Sequence, residues 1–321
     1  DLRNAKGARG LAESRGFPHR LGSPCSIKQA TINSLYMLGI AFALGNSSDL
    51  TLAQSCEFCP PTWANDLPPV SGTVNTSLVW NDVLYIGGGF KCGNTADNTA
   101  GCPNGTALNG IAKLVYENGI PRWAPMGGGF YEGSYVGTVN AMAVYGGALY
   151  AGGAFEQVNA PVYQPGSRSA AGIARWNGAA WEPVHYTGDE SGSGPGVYMG
   201  DVYALEAAGG VLYVGGDFTR VTFWDVEFER INFVVTGPLA VLTGNGFTAL
   251  PESLREADLS SGSVRAIISY NGQIVVGGTF LGSEPAAESS ITTYLHSIAK
   301  LNSNAFEPLG EGVWKDERRI C

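Results

Sequence analysis

Short apolar runs that end in a glycine pair and a phenylalanine recur along the chain. VLYIGGGF at 83–90 returns as ALYAGGAF at 148–155, VLYVGGDF at 211–218 and QIVVGGTF at 273–280. The closing residues Phe90, Phe155, Phe218 and Phe280 lie 65, 63 and 62 residues apart, a period that marks an array of supersecondary units. Each run is too short for a helix, is rich in β-branched and aromatic residues, and carries glycines that would weaken a helix further, so each predicts a strand. The paired glycines mark places where a neighbouring backbone approaches closely or the strand bends.

Three more strands recur around this one. An apolar run opening on Val precedes it, at Val74–Val79, Val139–Val144, Val202–Leu205 and Val264–Ile268. The turns between the two, such as Gly146-Gly147 and Asn271-Gly272, are of the tight hairpin type that needs positive φ. IAKL at 111–114, IARW at 173–176, LAVL at 239–242 and IAKL at 298–301 follow it. An aromatic with an apolar residue three places on closes the unit: Trp123 and Met126, Trp181 and Val184, Phe247 and Leu250, Phe306 and Leu309. Four antiparallel strands per repeat predict an all-β protein. The expected architecture is a β-propeller of four-stranded blades, built from four repeats of 62–65 residues across 74–314.

The wording of the repeat (Val, then LYVGG-x-F, then IARWNG and W-x-x-L) resembles the kelch-like propeller repeats of secreted and cell-surface proteins. The nearest in wording are the YVGG-F repeats of fungal cortical polarity-marker proteins and of bacterial surface propellers. The resemblance spans residues 74–313. It implies the blade fold and an extracellular setting and no particular chemistry, because function lives in sites grafted on folds.

Composition agrees with a turn-rich β protein. Glycine, at 46 of 321 residues, is about twice its ordinary share, and charged residues make up only 15%. A net charge of −9 with no basic stripe in the repeats argues against nucleic acid or an anionic membrane as partner. Residues 1–53 stand apart. A basic opening (Arg3, Lys6, Arg9, Arg15, Arg20, Lys28) leads into the apolar SLYMLGIAFAL at 34–44, too short to span a bilayer as a helix. This fits a secretory leader cleaved after Ala53, the alternative being a packing helix. A Cys-containing extension at 54–73 and a tail at 315–321 flank the repeats.

Cysteines and sequons bear on the compartment. Cys92 and Cys102 flank the loop NTADNTAG and predict a loop-closing disulfide. Cys56 and Cys59 have redox-motif spacing without a βαβ pattern around them, which favours a structural disulfide, with each other or with Cys321. Asn46, Asn75 and Asn104 each open a glycosylation sequon. Asn104 lies in the disulfide loop and is the preferred acceptor, Asn75 the second candidate.

The connections 91–109, 156–171, 219–238 and 281–296 read as long variable loops, the usual seat of recognition on a rigid scaffold. Their binding candidates are Tyr163, Arg168, Phe223, Trp224 and Tyr294, with His296 beside them. The bland alternative is that these aromatics cover blade ends. The acidic loop 185–201 lacks the tight ligand spacing of a calcium site, and His19, His185 and His296 are far apart in sequence, which disfavours a metal centre. No nucleophile elbow, phosphate loop, zinc-protease helix or dinucleotide fingerprint occurs. Asp82, Asp201, Asp217, Glu206 and Glu311 are acids that a propeller glycosidase could bring together, but they do not repeat. No catalytic residue, metal ligand or cofactor is assigned. Two function classes stand: a non-catalytic extracellular or cell-surface scaffold or adhesion protein, and a secreted carbohydrate-binding or carbohydrate-active propeller. The expected partners are proteins or glycans at the cell surface, with self-association through an open blade edge.

Overall fold

The computed structural model describes residues 67–96, 101–184, 196–198, 200–225, 230–285, 290–302 and 304–313. The chain divides into the units Asp1–Thr62 and Trp63–Cys321, and everything described belongs to the second. The expected leader, the Cys56 and Cys59 pair, Cys321 and most of the 185–201 loop fall outside the described residues.

Four antiparallel sheets carry the repeats, and in each the four main strands pair in chain order. The first is Val70–Trp80, Val83–Gly93, Ile111–Glu117 and Ile120–Pro125; the second is Thr138–Tyr145, Ala148–Ala154, Ile173–Trp176 and Trp181–Pro183. The third is Val202–Ala208, Val211–Gly216, Leu239–Thr243 and Gly246–Ala249; the fourth is Ser263–Tyr270, Gln273–Thr279, Ile298–Asn302 and Ala305–Pro308. Among the described residues there is no helix. The strand that opens each sheet, its lead strand, turns into the second through two residues with positive φ: Asn81 and Asp82, Gly146 and Gly147, Gly209 and Gly210, Asn271 and Gly272. That is the turn whose twist matches a right-handed hairpin, and Asn, Asp and Gly tolerate it best.

Every lead strand carries a register shift at the same place: Val74/Thr76, Val139/Ala141, Val202/Ala204 and Val264/Ala266. It is a β-bulge, and it explains the second glycine of each pair. A Cβ on Gly88, Gly153, Gly216 or Gly278 would run into the carbonyl oxygen of Thr73, Thr138, Asp201 or Ser263 on the bulged strand. The first glycine has a different reason. A Cβ on Gly87 would meet Val139 Cγ1 at 2.6 Å, one on Gly215 would meet Val264 Cγ1 at 2.5 Å, and Gly152 stands in the same way against Val202. The Val ahead of the bulge in the second, third and fourth sheets therefore seats as a knob on the preceding sheet, and only a residue without a side chain leaves room for it.

The core lies between consecutive sheets. Tyr85, Ile111, Met142, Leu149 and Trp181 fill the space between the first and second. Ala141, Tyr150, Ile173, Leu212 and Phe218 fill the next, and Leu239, Ile274, Phe280 and Leu301 the third. Each large apolar side chain buried this way contributes about 1.5–3 kcal/mol. The outward face of the first sheet has a cluster of its own, with Ile86, Phe90, Leu108, Ala112, Leu114 and Trp123. Leu108 comes from the 91–109 connection just past the disulfide loop, and Trp123 is tied to the loop itself by Asn94, whose Oδ1 accepts from the Trp123 N–H at 2.8 Å and whose Nδ2 donates to the Trp123 carbonyl at 2.9 Å.

The structure corrects the expected loops. The connections within the repeats contain strands, namely Thr106–Ala107, Gln157–Val158, Arg168–Ser169, Arg220–Asp225, Arg230–Val235, Gly282–Pro285 and Thr293–Tyr294. With Phe130–Glu132, Tyr135–Val136, Gly196–Tyr198 and Glu252–Arg255, drawn from the segments between repeats, most of these build three small antiparallel sheets; Thr106–Ala107 joins the first main sheet. Long connections that run over one another pair their backbone groups, since an unpaired buried N–H or C=O is costly. The first lead strand also starts at Val70, ahead of the expected Val74.

Candidate functional site

The bulge frees one residue per lead strand from the ladder: Asn75, Asn140, Tyr203 and Arg265. Their side chains meet across the sheet boundaries. Asn75 Nδ2 donates to Asn140 Oδ1 at 3.1 Å, and Asn140 Nδ2 donates to the Val202 carbonyl at 3.0 Å. The Arg265 guanidinium lies 4.0 Å from the centroid of the Tyr203 ring, a cation–π contact. A polar seam thus runs along the lead strands, over the apolar knobs.

At the third sheet the seam becomes acidic. The residue before the knob and its neighbour across the hairpin are Thr73 and Gly89 in the first sheet, Thr138 and Ala154 in the second, and Ser263 and Thr279 in the fourth. In the third they are Asp201 and Asp217. Asp217 accepts from the Asp201 N–H through Oδ1 and from the Tyr203 O–H through Oδ2, both at 2.6 Å. Partial burial, with the charges of Asp217 and Glu132 adding to it and Arg265 opposing, raises the Asp201 pKa above its ordinary value. Burial, then the bond to Asp217 and its charge, push the Tyr203 hydroxyl up to about 12. The group is a half-buried carboxyl that holds its proton more readily than a solvated aspartate, beside Asp217, which two donors clamp, and with the Arg265 cation of the next sheet over the Tyr203 ring. It is equipped to accept from and donate to the hydroxyls of a polar ligand.

Of the five acids singled out in the sequence, the structure brings together only Asp201 and Asp217. Asp82 sits in a hairpin turn, Glu206 accepts from the Ser269 N–H at 3.0 Å, and Glu311 is exposed near the end of the described chain. Tyr203 and Arg265 were missed. Their signal was positional: each directly follows the knob Val of its repeat, as Asn75 and Asn140 do.

The loop candidates lie on different small sheets, apart from Tyr163, which sits in a turn between Gln157–Val158 and Arg168–Ser169. Tyr163 is 95% exposed and holds the left-handed backbone at φ 63, an uncommon state for an aromatic residue. Arg168, exposed, pairs through its backbone with Val158 on the same small sheet's edge. Phe223 and Trp224 stand opposite Asn232 and Ile231 in the next. Tyr294 is exposed and stacks on His296, with ring centroids 6.1 Å apart. A pocket of about 240 Å³ between Thr236, Gly237 and Pro251–Arg255 holds the Arg255–Glu284 ion pair. It is smaller than the roughly 300–1,000 Å³ of most small-molecule sites. Cys92 and Cys102 are bonded, with Cα atoms 5.6 Å apart, and Asn104 and Asn75 are both exposed. Among the described residues no three His, Cys, Asp or Glu side chains come together as a metal site would need.

No family model and no curated protein matches this chain. Among solved structures, the chain is similar to the extracellular domain assigned to a hybrid two-component system of B. thetaiotaomicron, at 13% identity and a TM-score of 0.27. The match covers 78% of this chain and 38% of that one. At that score the likeness carries no argument, so the functional case rests on the geometry above.

Proposed function

We propose that this chain is a non-catalytic extracellular or cell-surface scaffold or adhesion protein, with its four-stranded sheets as blades of a β-propeller and a glycan on Asn104. The observation that carries this is the joint between sheets, made three times with the same parts: Val139 over Gly87, Val202 over Gly152 and Val264 over Gly215. Repetition of a steric joint is the mark of a frame. What differs from repeat to repeat is the bulge residue and the small sheets, where a partner would be met. Meandering strand order, with lead strand packed against lead strand of the next sheet, supports the blade reading. The compartment rests on the Cys92–Cys102 bond, with the exposed Asn104 sequon just beyond it in the same connection; such bonds persist where the surroundings are oxidising. No helix among the described residues is long and apolar enough to cross a membrane.

Secretion from a eukaryotic host, followed by peptide mapping without reductant, tests this. The expected result is a 92–102 cross-link, a glycan on Asn104, saturable adhesion of the purified protein to cell-surface preparations, and no release of sugars from polysaccharides. Free thiols at both positions in fresh protein would overturn the compartment, and sugar release would overturn the scaffold. A second reading, a secreted carbohydrate-binding or carbohydrate-active propeller, is favoured by the Asp201, Asp217, Tyr203 and Arg265 group and by the exposed Tyr163. Glycan binding lost in the Asp217→Asn variant would select it.

A further inference from the structure

Each joint between sheets is asymmetric, with a hole on one side and a knob on the other. The hole is the first glycine of the pair, and the knob is the Val ahead of the next sheet's bulge. Among the described residues three joints use three holes and three knobs, and one of each is left over. Val74, the knob of the first sheet, is 47% exposed, whereas Val139, Val202 and Val264 are all 0% exposed. At Gly277, the hole of the fourth sheet, a Cβ would come within 4 Å of one atom, the Ser297 carbonyl oxygen at 3.8 Å.

The surroundings of the spare knob and spare hole match as well. On the open face of the fourth sheet, Ile268 and Tyr270 are 57% and 65% exposed. Their counterparts in the second sheet, Ala143 and Tyr145, pack into the core shared with the third. On the open face of the first lead strand, Val79 is 51% exposed, while its counterpart Val144 packs into the core shared with the first sheet. Apolar residues are thus exposed at both ends of the stack, at the positions the internal joints cover.

We propose that the fourth sheet of one copy receives the first sheet of a second copy, with Val74 seated over Gly277 and Val79 against Ile268 and Tyr270. The occupant is a second copy because the spare knob and hole are the two halves of a joint that this chain already makes three times, so the contact continues an interface the fold uses. A copy that gives its knob keeps its hole free. The contact is therefore heterologous and propagates head to tail, into a ring where the rotation closes and into a filament where it does not. Asn75, next to the knob, opens a sequon, and a glycan there would stand at the rim of the joint.

The test uses the full chain made without glycans in a bacterial periplasm, followed by sedimentation velocity over a range of concentrations. Wild type is expected to grow in size with concentration. Val74→Asp spoils the knob, and Gly277→Leu fills the hole on an open face where it meets no core atom. Each variant alone is expected to stay monomeric, with association weakened at least tenfold. Mixed, they are expected to form a one-to-one dimer and nothing larger, because one retains a good hole and the other a good knob. Circular dichroism and thermal melts that overlay the wild type show that both variants fold. A wild type that stays monomeric throughout, variants that associate as wild type does, or a mixture that yields no heterodimer would each overturn the proposal. None of these outcomes touches the cross-link, glycan or adhesion measurements, so the scaffold reading stands or falls separately.

Discussion

The lead strands of the second and fourth sheets, Thr138–Tyr145 and Ser263–Tyr270, have the same length, the same bulge and the same pairing. In the second, Ala141 and Ala143 are buried and Tyr145 partly so; at the same positions of the fourth, Ala266, Ile268 and Tyr270 are exposed. The fourth strand is at least as apolar at these positions, so its own composition does not account for its exposure. The neighbour makes the difference. A repeat of this kind carries a face for the sheet before it and a face for the sheet after it, and its stability is a sum of nearest-neighbour terms. The first sheet shows a third solution: its outer part is covered by its own cross-linked 91–109 connection, through Leu108.

The largest break in this comparison comes from Trp181, which is fully buried and donates from Nε1 to the Met126 carbonyl at 3.1 Å. Trp181→Ala is expected to cost about 3–5 kcal/mol in urea unfolding. Tyr270→Ala on the open face is expected to change the stability of the monomer by no more than about 0.5 kcal/mol. Equal losses from the two would show that the fourth sheet is covered in solution.

Replacing Cys92 and Cys102 together with Ala opens a loop with a sequence separation of 10 and is expected to cost about 2–3 kcal/mol. Hydrogen exchange should quicken first in Val83–Gly93 and Ile120–Pro125, since that loop covers the face they share. Uniform loss of protection across all four sheets would argue that the loop is not a local cap.

Gly152→Ala and Gly277→Ala sharpen the comparison at a single atom. The first drives a methyl into Val202 and is expected to cost about 1–3 kcal/mol. The second meets only the Ser297 carbonyl oxygen, at an ordinary contact distance of 3.8 Å, and, by narrowing the unfolded ensemble, should leave stability unchanged or raise it by about 0.5 kcal/mol.

The smallest expected effect is electrostatic. The folded pKa of Asp201 is raised, so the stability tied to its proton is complete below its ordinary value of 3.8 and is lost as pH rises through the folded value. Asp201→Asn removes that loss. The variant should match wild type in acid and exceed it at neutral pH by about 0.5 kcal/mol, a modest gain because the group is partly solvated. A variant that is less stable at neutral pH would mean that the ionised carboxylate has a partner.

Much of the fold was legible because its signals are local. The Gly-Gly-x-Phe runs, the Asn-Gly and Gly-Gly turns and the closing aromatics Trp123, Trp181, Phe247 and Phe306 each fix a strand or a turn by themselves. The small sheets were not legible: Gln157–Val158 and Arg168–Ser169 are two residues each, too short to show any period. The two glycines of each pair looked equivalent in sequence. Only the stack reveals that one answers to the bulge of its own hairpin and the other to the next sheet. Of the candidate site, Asp201 and Asp217 were among the acids singled out, but nothing in the sequence set them above Asp82 or Glu311. Their pairing follows from a hairpin register, and Tyr203 and Arg265 join them from a bulge and from a neighbouring repeat. The seam residues keep the repeat's period while changing type from Asn to Tyr to Arg, so a search for matching residues passes over them.

The way the sheets follow one another along the chain has a mechanical consequence. Each main sheet draws its strands from one continuous stretch and packs against the sheets before and after it. Tension applied to the two ends of the stack reaches the sheets in series, so they yield one at a time instead of together. With repeats 62–65 residues long, each event releases roughly 200 Å of extended chain. The first sheet is the exception, because the Cys92–Cys102 bond locks its loop out of the extension. Stretched between a surface and a partner, the protein would lengthen in near-equal increments, with a shorter step marking the sheet that holds the cross-link.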